Sequence, residues 1–251
     1  MRPLAEYFEH PDRLILFLEG LRKGLIQIGI ITLIFTIIGY AFSKTILNYL
    51  QKHTGVTLAY YALSETFFSL LNIALFSALF VIIPFILLKI LAAVQPLFES
   101  FTRRMMYVFW VTGIFLFYLG AGFCLFVTLP YGVKFLLSYQ GAHIEALISV
   151  RKFISFCLLF IFAFGFIFEL PLIMILLGRI GLVKVGYLTK NRSYAILIIA
   201  IAAAVLTPTP DAFNMMLMAL PLYLLYEIGI IGMKIWGKKD PRPDATAVKG
   251  F

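Results

Sequence analysis

Charge is what this 251-residue chain has least of: 13% of its residues are Asp, Glu, Lys or Arg, and 62% are apolar. A soluble domain carries about 25% charged residues. A water-soluble globule of this length cannot hide so much apolar surface, which excludes an ordinary soluble enzyme. Disorder needs low hydrophobicity and high charge, so the same figures exclude it. Cysteine is nearly absent: Cys124 and Cys157 sit inside apolar runs, form no CxxC or metal-ligand spacing, and read as packing residues. The three histidines, His10, His53 and His143, stand far apart. There is no HExxH, GxSxG, P-loop or GxGxxG, so no catalytic motif, metal site or cofactor is expected. Acid is the scarcer sign, 12 residues against 21 basic ones, for a net charge of +9. No basic segment is interleaved with aromatics as a nucleic-acid surface would be. The excess therefore reads as a topology signal in a membrane protein.

What the chain does have is long apolar runs. Gaps between charges delimit six of them: 24–43, 66–88, 105–133, 153–178 with Glu169 inside, 193–210, and 212–233 with Glu227 inside. About 20 apolar residues in a helix cross the ~30 Å of bilayer hydrocarbon. The expected fold is all-α: a polytopic membrane protein with six transmembrane helices, one integral domain over 1–236, and a disordered tail over 237–251. No cleavable signal peptide is expected, because the first 23 residues are polar and no small-residue cleavage site follows the first run. Sixteen basic residues lie in 1–23, 89–104, 179–192 and 234–251, against five in 44–65, 134–152 and 207–211. The positive-inside rule then puts both termini in the cytoplasm. Ahead of the first span, Leu14, Leu18, Leu21 and Leu25 form one apolar stripe after Pro11, which predicts an amphipathic segment on the inner surface. The fifth span is regular only from Ser193 to about Leu206, short of a bilayer core. The turn Thr207-Pro208-Thr209-Pro210-Asp211 joins it to the sixth, and backbone freed at that depth predicts a recess there.

The intramembrane acids need an explanation. Glu169 stands ten residues from Arg179, near the bilayer midplane, where a carboxylate costs at least ~2.5–3.5 kcal/mol on insertion scales. It is either a hydrogen-bonded lock between helices or a polar site facing a cavity where a substrate, proton or partner docks. Pro171, two residues on, predicts a kink. Glu227 lies two turns inside Lys234 and admits both readings, whereas Asp211 fits a cap on the sixth helix. Glu19 and Glu99 lie at the cytoplasmic mouths of spans one and two, placed to meet a basic ligand.

Several stretches together resemble the TatC family, the multispanning subunits of the twin-arginine protein translocase. Phe168-Glu169-Leu170-Pro171 is similar to that family's F-E-[LVM]-P motif in the fourth span. The third span is matched by Leu116-Phe117-Tyr118-Leu119-Gly120-Ala121-Gly122-Phe123 with Phe126 and Pro130. The fifth and sixth are matched by Thr207 to Asp211 with Ala219-Leu220-Pro221 and Leu225-Tyr226-Glu227. Phe17-Leu18-Glu19-Gly20-Leu21-Arg22 resembles the N-terminal H-L-x-E-L-R. The likeness covers roughly 14–236 and implies a protein of the cytoplasmic (inner) membrane that is no enzyme. It implies binding of twin-arginine signal peptides and of single-span TatA/TatB-type subunits, with self-association in the lipid bilayer, for proton-motive-force-driven export of folded proteins. Arginine pairs bidentately with carboxylates, so Glu19 and Glu99, with Arg22, Arg103 and Arg104 beside them, are the expected signal-peptide residues. Glu169, Pro171, Thr207, Asp211 and Glu227 form the expected intramembrane, partner-facing set. The chain departs from the family pattern at Phe17 for His, Gly20 for Glu, Asn72 for Lys and Thr102 for Glu. A proton-coupled solute transporter with Glu169 as carrier is the alternative, but no internal repeat of the kind such transporters carry is visible.

Overall fold

The computed structural model describes residues 11–56, 58–59, 62–94, 102–138, 148–206 and 212–236, and within helices the side chains of 11–21 and a few others are outside the description. Among the described residues, five helices are long and apolar enough to cross a membrane: Gly24–Thr54, Ser64–Ala92, Arg103–Lys134, Val150–Arg179 and Met218–Trp236, with a shorter apolar helix over Arg192–Ala204. Two compact units are distinguished, 1–163 and 164–251.

The first unit opens with α1 (Pro11–Thr54). It runs unbroken, so the expected amphipathic segment is not a separate element but continuous with the span. No proline follows Pro11 inside it. The helix also extends past the expected limit at Ser43, because one exposed lysine, Lys44, does not stop a helix. Gly55 does, with φ +70 and its N–H on the Gln51 carbonyl at 2.9 Å. Within the span Thr32 and Thr36 donate to the carbonyls four residues back, each at 2.7 Å, which hides their hydroxyls from lipid. Gly39 allows α1 to lie against α2 (Leu63–Val94): a Cβ there would stand 3.1 Å from the Ala74 carbonyl oxygen.

The third span is one rod of three pieces, α3 (Arg103–Phe123), a π-helical turn (Cys124–Thr128) and α4 (Leu129–Ser138). Prolines explain its joints. Pro84 in α2 has no N–H for the Phe80 carbonyl, and the Tyr118 hydroxyl of α3 donates to that oxygen at 2.9 Å. Trp110 Nε1 donates to the Pro84 carbonyl at 2.7 Å. In the π turn the Leu129 N–H bonds Cys124 O, and Pro130 can offer nothing, so the Leu125 carbonyl loses both helical donors. His53 Nε2, from the last turn of α1, donates to it at 3.1 Å. Tyr49 stacks on the His53 ring and Phe126 meets it edge-on. In lipid, no water can satisfy such freed carbonyls, so a neighbouring helix must.

Strands β1 (Leu58–Ala59) and β2 (Ile148–Ser149) pair in parallel and lead into α5 (Val150–Phe168). Glu65, buried in the first turn of α2, accepts the Ser149 hydroxyl and the Arg151 N–H at 3.1 Å. Ser149 Oγ in turn accepts the Lys152 N–H at 3.3 Å. One carboxylate thus serves the N-terminal ends of two helices, where negative charge is favoured. The core of this unit is aromatic: Phe76, Phe80, Phe117, Tyr118 and Phe162 meet mostly edge to face, with centroids 4.9–6.1 Å apart. Cys124 and Cys157 are fully buried free thiols.

The second unit holds α6 (Leu170–Ile180), α7 (Val185–Lys190), α8 (Arg192–Leu206) and α9 (Ala212–Trp236). Gly181, at φ +84, ends α6, with Leu182 N–H returning to the Leu177 carbonyl at 3.0 Å. Small residues bring α6 and α9 together. A Cβ on Gly178 would meet Met233, on Gly229 Met174 and the Pro171 backbone, and on Gly232 Ile175. Close backbone approach of this kind is how helices pack where lipid removes the hydrophobic drive.

Candidate functional site

Glu169 occupies a break in the fourth span. It stands as a turn residue between Phe168, where α5 ends, and Leu170, where α6 begins, with Pro171 in the first turn of α6. The Glu169 N–H reaches back only three residues, to Phe166 O at 3.1 Å, while its carbonyl accepts Ile173 N–H at 2.9 Å. The helix is therefore interrupted where the kink was expected, next to the missing N–H of Pro171. Pro171 is itself buried, its Cα 3.3 Å from where a side chain on Gly229 would begin. The Glu169 side chain is 5% exposed, and its Oε1 has no hydrogen-bond partner among the described residues. A buried acceptor left open favours any donor that can reach it.

Glu227 is engaged instead. Arg192 Nη2 meets its Oε2 at 3.0 Å and the Tyr223 hydroxyl donates to Oε1 at 3.0 Å. The two charged side chains are 45% and 23% exposed, so the pair is partly in solvent and of modest worth. One residue earlier, Tyr226 donates to the Leu188 carbonyl at 3.0 Å and pins α7 to α9. Arg192, Tyr223 and Tyr226 escaped sequence reasoning. Only the i, i+4 spacing of Tyr223 and Glu227 hinted at them.

Arg22 is exposed on α1, and Arg103 and Arg104 are exposed at the start of α3. Thr102 holds the N-cap position there without a side-chain bond, and no acid lies in that first turn. Two cations at a helix N-terminus oppose the helix dipole, which makes this end receptive to carboxylates. None of the three arginines forms an ion pair among the described residues. At the same end of α2, Lys89 donates to Gln27 of α1 at 2.8 Å and lies over the Phe85 ring. Asn72 is half-buried in α2. Glu19 is carried on α1 with its side chain outside the description; Glu99, Thr207 and Asp211, with the tail from 237, lie outside the described residues, as does the recess expected at that turn. The structure thus brings Glu227 to Arg192 and leaves Glu169 open. Among the described residues no cluster of His, Cys, Asp or Glu could hold a metal ion.

Residues 16–221 match the family model of TatC, the Sec-independent protein translocase protein. The chain is 33% identical over 238 residues to a Sec-independent protein translocase protein TatC of Desulforapulum autotrophicum, covering 92% of this chain and 88% of that one. To its counterpart in Carboxydothermus hydrogenoformans it is 34% identical over 235 residues, covering 92% and 97%. Two crystal structures of a twin arginine translocase receptor TatC are similar in fold. One has a TM-score of 0.76 at 32% identity, covering 86% of this chain and 98% of that one. The other has 0.75 at 33%, covering 87% and 98%.

Proposed function

The chain belongs to the TatC family of Sec-independent protein translocase proteins, membrane components of protein transport rather than enzymes, and from that premise we propose that it is the signal-peptide receptor of a twin-arginine translocase. It sits in the cytoplasmic membrane with both termini inside, as the bias of basic residues favours. Glu19 and Glu99 take the paired arginines of a precursor's signal peptide, since a guanidinium fork fits a carboxylate bidentately. Arg22, Arg103 and Arg104 hold those carboxylates ionised and turned toward the ligand. The residues Gly20 and Thr102, where acids stand in the family pattern, leave Glu19 and Glu99 as the nearest acids at both places.

The observation that carries the reading deepest is Glu169, a buried carboxylate with an open acceptor at a proline break. A donor on the apolar part of a signal peptide, or on a single-span TatA/TatB-type subunit, would complete it. Glu227, held by Arg192 and Tyr223, fits a supporting role. Pro171 fixes the break, and Thr207 and Asp211 complete the proposed partner-facing set.

Binding of a fluorescent twin-Arg signal peptide to the protein in nanodiscs, against a Lys-Lys control, tests the receptor reading. Saturable binding that Lys-Lys abolishes and that Glu19→Gln and Glu99→Gln each weaken supports it. Equal affinity for both peptides, or unchanged affinity in both variants, overturns it. Photocrosslinking from position 169 tests the second part: crosslinks to a bound peptide or single-span subunit support it, and crosslinks confined to the chain's own helices reject it.

A further inference from the structure

The segment from Arg179 to Tyr194 carries four basic residues and no acid. Its short helix α7 is fixed in orientation, because Tyr226 of α9 holds the Leu188 carbonyl. Leu188 and Val185 are half-buried, while Lys184, Tyr187 and Lys190, spaced three apart along one flank, are exposed. Tyr187 is 67% exposed, and Tyr194, in the first turn of α8, is 68% exposed. Arg179 and Lys234 are exposed neighbours of the touching pair Gly178 and Met233, so α6 and α9 bring them to one level. Neither they nor Lys190 form an ion pair among the described residues, whereas Arg192 is taken by Glu227.

These cations are not set in a polar surface. Leu224, Ile228, Ile231 and Ile235 form an exposed apolar stripe along α9, and it ends at exposed Trp236. Leu182 is exposed as well. Exposed cations and amphipathic rings with a polar tip, on a unit whose spanning helix carries an apolar stripe, form the pattern of a membrane interface. An acidic soluble partner would satisfy the charges but leave the stripe and rings in water. We infer that the α7 platform, with Lys184, Tyr187 and Lys190 at its centre and Arg179 and Lys234 beside it, is a binding site for the headgroup of an anionic phospholipid. The lysines bind the phosphate and the Tyr187 hydroxyl donates to it. The site is independent of the twin-arginine reading and uses none of its residues.

The test is native mass spectrometry of the protein released from micelles containing equal phosphatidylglycerol and phosphatidylcholine. The expected result is preferential retention of phosphatidylglycerol. A Lys184→Gln/Tyr187→Phe/Lys190→Gln variant loses that preference roughly 30-fold, at ~1 kcal/mol for each lysine near the surface. A Lys44→Gln/Lys52→Gln variant, altered at two exposed lysines of α1, keeps it. Should the triple variant fail to fold, Lys190→Gln alone carries the expectation at about fivefold. Undiminished preference in the folded variants overturns the site. So does displacement of the lipid by millimolar inorganic phosphate, which would make it a simple anion site, or by an acidic peptide, which would make it a protein contact. Twin-Arg peptide binding measured on the same samples separates the two proposals, since this one predicts that it survives the α7 substitutions.

Discussion

Glu169 and Glu65 are both buried carboxylates, yet their environments assign them opposite tasks. Glu65 is fully employed: it accepts a hydroxyl and a backbone N–H from the start of α5, so its removal leaves orphan donors. Glu65→Ala is expected to lower stability by about 1–2 kcal/mol, and Glu65→Gln by less, because an amide oxygen still accepts. Thermal unfolding in detergent reads both. Glu169 has an oxygen with nothing to accept among the described residues. An apolar residue of similar size removes that unmet group and should hold or raise stability, as replacing buried polar groups often does. Glu169→Leu is therefore expected to keep its unfolding temperature while export of a folded twin-Arg reporter stops. A clear loss of stability in that variant would instead make Glu169 a lock between helices.

At the scale of elements, prolines decide where helices need help from their neighbours. Pro84 frees the Phe80 carbonyl and Tyr118 covers it. Tyr118→Phe keeps the ring against Phe80 and Phe117 but leaves the carbonyl open, so a loss of about 1 kcal/mol is expected in a reversible unfolding assay. On the α6–α9 seam, Gly232→Val drives a side chain into Ile175 and should cost about 1–3 kcal/mol, whereas Gly122→Ala, where a Cβ meets nothing, should be tolerated. The break at Glu169 was readable from sequence because a proline's missing N–H acts within one turn. The spans were readable because charges bound them, and the short α8 because Pro208 follows. The partners of Glu227, Glu65 and Leu125 were not: Arg192, Ser149 and His53 lie 35, 84 and 72 residues away, and nothing local in a sequence marks such a meeting. The end of α1 departs from the expected limit for a local reason instead. Lys44 resembles a boundary, but the stop is the left-handed Gly55.

At the scale of the whole molecule, the host bilayer enters the stability of the fold. The 15 residues of α8 (Arg192–Leu206) rise only about 22 Å, while α9 (Ala212–Trp236) is 25 residues long. A bilayer of ordinary thickness exceeds the first, and mismatch costs fractions of a kcal/mol per Å. Reconstitution into vesicles of shorter acyl chains is therefore expected to raise the unfolding temperature relative to longer ones, and the opposite order would show that α8 is shielded by other means. The most apolar stretch of the first span has no buried residue at all, and along it α1 approaches the backbone of α2 closely at Gly39. Glu65 adds a consequence in time. A ribosome adding ~5–20 residues per second delivers Ser149 on the order of ten seconds after Glu65. Through most of that interval the second span is already made while its first carboxylate lacks its partners, and this end of the first unit can close only once the chain has been made as far as the start of α5.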